Sequence, residues 1–147
     1  VLRRAMTAAV FNIKVEQGAT FRFPKFQFGT LLVDAEGLPV PGPDGNPQID
    51  VPRDFTGCTF RLQMRGSKKP DGDEFFTVTS EDLDGGISAD ALGVITIVVP
   101  DEQTDKVVKN GFYDLKCYNP DQTEDRLVEG AVSVSTAVTT DELVVGP

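Results

Sequence analysis

Residues 54–65 read Asp-Phe-Thr-Gly-Cys-Thr-Phe-Arg-Leu-Gln-Met-Arg. From Cys58 onward, apolar and polar residues alternate strictly. One set is Cys58, Phe60, Leu62 and Met64, and the other is Thr59, Arg61, Gln63 and Arg65. Because successive side chains of a strand point to opposite sides, this pattern predicts a strand with one buried and one solvated face. We expect it to be a central strand, with which other strands pair or over which they pack.

Segments with the same period of two lie on both sides of this strand. They are residues 11–15, 19–33, 75–79, 92–99, 112–118 and 126–135. Pro24 interrupts the second segment, and since proline cannot donate a ladder hydrogen bond, we expect a bulge there that restores the phase of the Phe side chains. In residues 92–99 apolar side chains occupy both faces, which predicts burial on both sides. No repeat of fixed period is visible.

The strand count and the turns between strands predict the fold class. We expect an all-β protein, an antiparallel immunoglobulin-like β-sandwich of about seven or eight strands with one short helix and extended terminal arms. The helix is predicted over residues 101–109, which begin with an acidic turn and end before Asn-Gly. The sandwich is expected to span residues 10–135, with an N-terminal arm at 1–9 and a C-terminal tail at 136–147. A chain of 147 residues fits one such domain.

Residues 34–53 differ from the rest of the chain because proline and glycine punctuate them closely. Proline lacks the backbone donor of a helix or an interior strand, so we predict a long loop exposed at one end of the sandwich. Long loops in a compact domain are often functional. Our interpretation is a partner-contact loop, and the alternative is a flexible linker. The candidate contact residues are Pro39, Pro41, Pro43, Asp44 and Pro47.

Arg61 and Arg65, on the solvated side of the opening strand, are the second candidate contact. Exposed arginine is enriched at protein interfaces. The alternative is a solvated position paired across strands with an acidic neighbour such as Asp114.

Cys58 and Cys117 both lie in predicted strands, and two cysteines are too few for a disulfide scaffold. We interpret them as small buried thiols, with a bridge across two sheets as the alternative.

Charge and composition exclude several function classes. The net charge of −9 disfavours nucleic acid and anionic membranes as partners, and no apolar run reaches the ~20 residues of a membrane helix. The chain has no His, which removes the commonest general base and zinc ligand. Phosphate-binding, dinucleotide-binding and nucleophile-elbow motifs are absent. Turn chemistry explains the loop carboxylates and Asp-Gly pairs better than glycoside hydrolysis or calcium binding. We therefore predict no catalytic residue, cofactor or metal.

Several motifs together resemble a phage protein family. They are Phe-Asn-Ile-Lys-Val-Glu-Gln-Gly-Ala-Thr-Phe-Arg at 11–22, the stretch at 54–65, Gly-Val-Ile-Thr-Ile at 93–97, Pro-Asp-Glu-Gln-Thr at 100–104, Gly-Phe-Tyr-Asp-Leu at 111–115 and Leu-Val-Glu-Gly-Ala-Val-Ser-Val-Ser at 127–135. The chain resembles the small immunoglobulin-like virion proteins of tailed bacteriophages, and in layout the N-terminal domain of phage baseplate upper proteins. Residues 34–53 are longer than the connection usual in that family. The matching motifs are structural, so no functional residue is carried over.

The resemblance implies a non-enzymatic structural component of a virion, assembled in the bacterial host cytoplasm. We expect an adaptor in the tail or baseplate that docks neighbouring subunits. Its partners would be other virion structural proteins, with several copies in a symmetric assembly. One alternative is a head decoration or cement protein on the capsid surface. Another is a host-glycan-binding module, although the chain has no Trp and its Phe residues follow core periodicity.

Overall fold

The computed structural model describes residues 8–69, 72–82 and 86–136. These residues form twelve strands and one helix, which confirms the predicted all-β class. The elements are β1 (Ala9–Val10), β2 (Ile13–Glu16), β3 (Phe21–Arg22), β4 (Phe26–Gln27), β5 (Gly29–Leu31), β6 (Ile49–Pro52), β7 (Thr59–Arg65), β8 (Glu74–Thr79), β9 (Gly86–Ala89), β10 (Val94–Val99), α1 (Asp101–Thr104), β11 (Gly111–Tyr118) and β12 (Glu124–Ser135). The number of strands exceeds the prediction because segments expected as single strands are divided and the predicted loop contributes β6.

The larger sheet contains Thr59–Arg65 of the opening stretch as the interior strand β7, as predicted. Its order is β1-β12-β11-β7-β8, and β2 also pairs with β12. Leu62 of β7 lies opposite Leu115 on one side and Val78 on the other. Both β1 and β2 run parallel to β12, so the prediction of an entirely antiparallel fold is wrong at this edge. The chain between β2 and β12 passes through every other element except β1, and a connection longer than a hairpin permits a parallel pair.

The smaller sheet is built around β10, which pairs with β9 along one edge and with β3 and β4 along the other. Val98 lies opposite Arg22, whereas Ile95 lies opposite Phe26, so the register shifts by one residue between the two segments. This shift is the bulge predicted at Pro24. The second face of β10 is only half-buried, so the predicted burial on both sides is incomplete.

One hydrophobic core joins the two sheets. The alternation predicted for β7 is confirmed, since Phe60, Leu62 and Met64 are buried between their polar neighbours. The other strands and the loops contribute the remaining core side chains, which are Ile13, Val15, Phe23, Phe55, Phe76, Val78, Ile87, Ile95, Ile97, Val99, Val107, Tyr113, Leu115, Cys117, Leu127, Val128 and Val132. Leu127 and Val128 are consecutive and both buried because the register between β11 and β12 shifts at this point.

The predicted helix forms over its first turn alone. After α1, the amides of Lys106 and Val107 donate to carbonyls three residues earlier, as in tighter turns. The reason lies in Thr104 and Val107, which are both fully buried. The Thr104 hydroxyl donates to the Ala19 carbonyl at 2.8 Å, which fixes the turn to the body and directs Val107 into the core.

Of the predicted terminal arms, only residues 8, 9 and 136 are among the described residues. Ala9, assigned to the N-terminal arm, lies in β1 and pairs with Val128. The rest of both arms, apart from Ala8 and Thr136, lies outside the described residues.

Candidate functional site

Residues 29–52, here called the ribbon, contain most of the predicted loop, and the structure corrects that prediction. Strands β5 and β6 pair antiparallel from Gly29–Pro52 to Leu31–Ile49. Single bridges then join Val33 to Pro39 and Pro41 to Pro47. The segment is therefore ordered β-structure. Proline is compatible with it because a bridge or strand-end position can leave the backbone nitrogen unpaired.

Two turns of the same geometry shape the ribbon. Across 34–38 and across 42–46, the first amide donates to the fifth carbonyl, at 2.9 Å and 2.7 Å. The fourth residue of each turn is a glycine with positive φ, 81° in Gly37 and 82° in Gly45. The prediction of no internal repeat is thus wrong for this segment, which repeats every eight residues. The signal present in the sequence is Gly-Leu-Pro at 37–39 followed by Gly-Asn-Pro at 45–47.

Three residues spaced eight apart, Leu32, Val40 and Gln48, form a closed ring of backbone hydrogen bonds. The Leu32 amide donates to the Gln48 carbonyl at 2.9 Å, and the Gln48 amide donates to the Val40 carbonyl at 3.0 Å. The Val40 amide completes the ring by donating to the Leu32 carbonyl at 2.9 Å. Backbone hydrogen bonds therefore hold the ribbon together, although the ribbon has no hydrophobic core of its own.

Carboxylates support both turns from within. Asp34 Oδ1 accepts from the amides of Glu36 and Leu38, and Asp44 Oδ1 accepts from the Asn46 amide at 3.0 Å. The backbone N–H of Asn46, followed by its side-chain amide, lowers the pKa of Asp44 below its ordinary value. Asp44, one of the predicted contact residues, is therefore a charged turn residue at neutral pH.

The surface of the ribbon combines apolar side chains with negative charge. No residue from 29 to 52 is buried. Leu38, Val51, Val33 and Leu31 are 61%, 58%, 50% and 44% exposed. The ribbon carries four carboxylates and neither Lys nor Arg. Apolar side chains left in solvent by an ordered element are typical of a docking surface.

The base of the ribbon is fixed to both sheets. The Phe28 amide donates to the Gly93 carbonyl, and the Arg53 amide donates to the Phe28 carbonyl. The Arg53 guanidinium pairs with Asp125 at 2.6 Å and lies 5.0 Å from the Phe55 ring centroid. The ribbon therefore has a defined orientation relative to the body.

Arg61 and Arg65 lie elsewhere, on the outer face of the larger sheet, so the structure does not bring the two groups of predicted contact residues together. The Arg61 guanidinium lies 5.6 Å from the Tyr118 ring centroid. Arg65 donates to the Gly72 carbonyl at 3.0 Å and lies 3.8 Å from Glu74. The acid expected to pair with them, Asp114, instead pairs with Arg126 at 3.3 Å. The register explains this, since Asp114 lies opposite Gln63 in β7.

A groove of about 350 Å³ crosses this outer face beside Arg65. Its lining residues are Val10, Asn12, Gln63, Arg65, Ser67, Lys68, Phe112, Tyr113, Asp114, Lys116, Arg126, Glu129, Gly130 and Ala131. The Lys68 ammonium lies 5.1 Å from the Phe112 ring centroid. Of this set the sequence indicated only Arg65 as a contact residue, because the groove depends on which residues of β1, β7, β11 and β12 lie side by side.

The two cysteines lie close together and not across two sheets, and both are free thiols. Cys117 lies in β11, whereas Cys58 immediately precedes β7, so the prediction that both lie in strands is wrong for Cys58. Their Sγ–H groups donate to Asn119 Oδ1, at 3.4 Å from Cys58 and 3.7 Å from Cys117. Cys117 is buried, as predicted, and Cys58 is half-buried. Burial, reinforced by the neighbouring Cys58, raises the pKa of Cys117 to about 12. A thiol that stays protonated is a poor nucleophile and metal ligand.

Within residues 8–69, 72–82 and 86–136, no three Cys, Asp or Glu residues form a group that could hold a metal ion. No helix in this part of the chain is long and apolar enough to cross a membrane.

No protein-family model matches the sequence, and a search of curated proteins returns no significant match.

Proposed function

We propose that the protein is a non-enzymatic structural component of a tailed-bacteriophage virion. In this proposal the fold is an immunoglobulin-like sandwich, and the protein acts in the tail or baseplate as an adaptor that docks neighbouring subunits. Its place is the assembled particle, which forms in the host cytoplasm. The ribbon is the observation that carries the proposal, together with the resemblance of the sequence motifs.

The ribbon supports a docking role because its order does not serve the core. It contributes none of the side chains of the hydrophobic cluster. Main-chain bonds maintain its shape, and four apolar side chains remain largely in solvent. Covering an exposed apolar side chain in an interface gains roughly 25 cal/mol per Å². A rigid element also loses little conformational entropy on binding, so more of this gain appears as affinity.

The first test is the copy number of the chain in purified particles of the phage that encodes it, measured by quantitative mass spectrometry. Copies in threes, sixes or twelves are expected for a tail or baseplate ring. Hundreds of copies would replace this position with the head-decoration alternative. Absence from the particle, or specific oligosaccharide binding by the isolated chain, would contradict the adaptor proposal.

The second test asks whether the ribbon is the docking element. Leu38→Asp is expected to fold normally, because the side chain is 61% exposed, but to lose incorporation into particles. Val108→Asp is the matched control, since Val108 is 60% exposed and lies outside the ribbon. Equal incorporation of the two variants would show that the ribbon does not dock.

A further inference from the structure

We propose that the turn at residues 34–38 of one copy binds in the outer-face groove of a second copy, so that copies join head to tail. This inference rests on the proposed function and names the partner of the ribbon as the same chain. Both surfaces consist of described residues, and they lie on different sheets of the molecule.

Charge complementarity is the first argument. The ribbon carries Asp34, Glu36, Asp44 and Asp50, with no cation. The groove is lined by four cations and two anions. Arg126 pairs with both lining anions, and Arg65 and Lys116 pair with Glu74 and Glu124. Lys68 is therefore the lining cation that has no ion pair within the described residues. The cations are Arg65, Lys68, Lys116 and Arg126, and the anions are Asp114 and Glu129. An acidic ribbon that meets the Lys68 ammonium aligns the partners, whereas contact between two acidic ribbons is disfavoured.

Apolar complementarity is the second argument. Leu38, at the end of the first turn, is the most exposed of the large apolar side chains in the ribbon. The groove offers the Phe112 ring together with Val10 and Ala131, in a space of about 350 Å³. Leu38 would pack beside the ring, against Val10 and Ala131, and Glu36 would meet the Lys68 ammonium. The Lys68 ammonium forms a cation–π contact but no ion pair within the described residues.

The symmetry of such a contact has a consequence for assembly. Two different surfaces of one chain form a heterologous interface, which closes into a ring or continues as a filament according to the rotation between copies. The groove and the ribbon would then both be occupied in every copy of a closed ring.

The test uses single charge reversals on the two surfaces, Glu36→Lys and Lys68→Glu, followed by sedimentation velocity at low ionic strength. Wild-type chain is expected to associate in a concentration-dependent and salt-sensitive way. Each reversal is expected to weaken association by about tenfold, because it sets like charges together. An equimolar mixture of the two variants is expected to recover association with the two chains in equal numbers. The reversed ribbon fits the reversed groove, and the unchanged ribbon of Lys68→Glu fits the unchanged groove of Glu36→Lys. Glu102→Lys is the control for net charge and is expected to associate like the wild type.

Three results would overturn the inference. They are a wild-type chain that stays monomeric at millimolar concentration, a ribbon reversal that leaves association unchanged, and a mixture of the two variants that associates no better than either variant alone. Any of them leaves the copy number in virions unaffected, so the proposed function is tested separately. Conversely, self-association of a chain that is absent from particles would refute the proposed function and retain the interface.

Discussion

Substitution of Gly93 by alanine tests whether the base of the ribbon is coupled to the body. Gly93 has a φ of +73°, and a Cβ there would lie 2.3 Å from the Phe28 carbonyl oxygen and 3.1 Å from the Arg53 backbone nitrogen. The same oxygen accepts the Arg53 amide at 2.9 Å, and the Phe28 amide donates to Gly93 at 2.8 Å. The added methyl group therefore displaces both hydrogen bonds.

The expected loss can be estimated from these contacts. A left-handed backbone costs a non-glycine residue about 1–2 kcal/mol, and each lost backbone hydrogen bond costs about 1 kcal/mol. Gly93→Ala should thus lower the free energy of unfolding by about 3–4 kcal/mol. Gly18→Ala is the matched control, since Gly18 has a φ of +80° and its Cβ would meet only Asp105 Oδ1, at 3.7 Å. Gly18→Ala should lower the free energy of unfolding only by the cost of the left-handed backbone, about 1–2 kcal/mol.

Urea denaturation followed by far-ultraviolet circular dichroism measures both losses. Native-state hydrogen exchange then locates the change, with faster exchange expected at the Arg53 amide in Gly93→Ala but not in Gly18→Ala. Equal losses in the two variants, with unchanged Arg53 exchange, would refute the reasoning that the ribbon is anchored at Gly93.

Three further predictions concern the body. Thr104→Val, which leaves the Ala19 carbonyl without its hydroxyl donor, should cost about 1–2 kcal/mol in urea denaturation, whereas Thr104→Ser should cost less. Arg53→Met should cost about 2 kcal/mol, and adding Asp125→Asn should cost little more because the pair is already broken; full additivity would contradict this. Because burial raises the pKa of Cys117 from 9.0 to about 12, the native state keeps a proton that the unfolded chain releases. Stability should therefore be greatest below pH 9 and fall as pH rises, with a slope that approaches about 1.4 kcal/mol per pH unit above pH 10. Unfolding measured between pH 9 and 10 should show a shallower slope in Cys117→Ala, and an unchanged slope would assign the loss to another group.

Burial within single strands could be predicted from the sequence because it depends on local parity. Phe60, Leu62 and Met64 follow a period of two, and the structure buries all three. The bulge at Pro24 was predictable for the same reason, since the phase of the Phe residues changes there. The parallel pairing of β2 with β12 was not, because nothing in either strand encodes which distant edge it joins.

The candidate site shows a different limit. The predicted contact residues from Pro39 to Pro47 do lie together, but the sequence was interpreted as a loop because proline was taken to exclude β-structure. Proline lacks only the backbone N–H donor of a strand pair. An isolated bridge such as Pro41–Pro47 forms without the full set of hydrogen bonds between two strands. The groove was missed because Lys116 and Arg126 come to line the same groove as Arg65 only when β7, β11 and β12 assemble in register.

The closed ring of hydrogen bonds at Leu32, Val40 and Gln48 involves backbone groups alone. The shape of the ribbon therefore does not depend on its exposed side chains. Glycine, proline and the two turn aspartates maintain the shape, whereas side chains such as Glu36 and Leu38 face solvent and stabilise nothing in the body. Substitutions at these outward positions can therefore alter which surface the ribbon recognises without a cost in folding. This arrangement allows binding specificity to change while the scaffold stays the same, as in loops that a rigid framework presents.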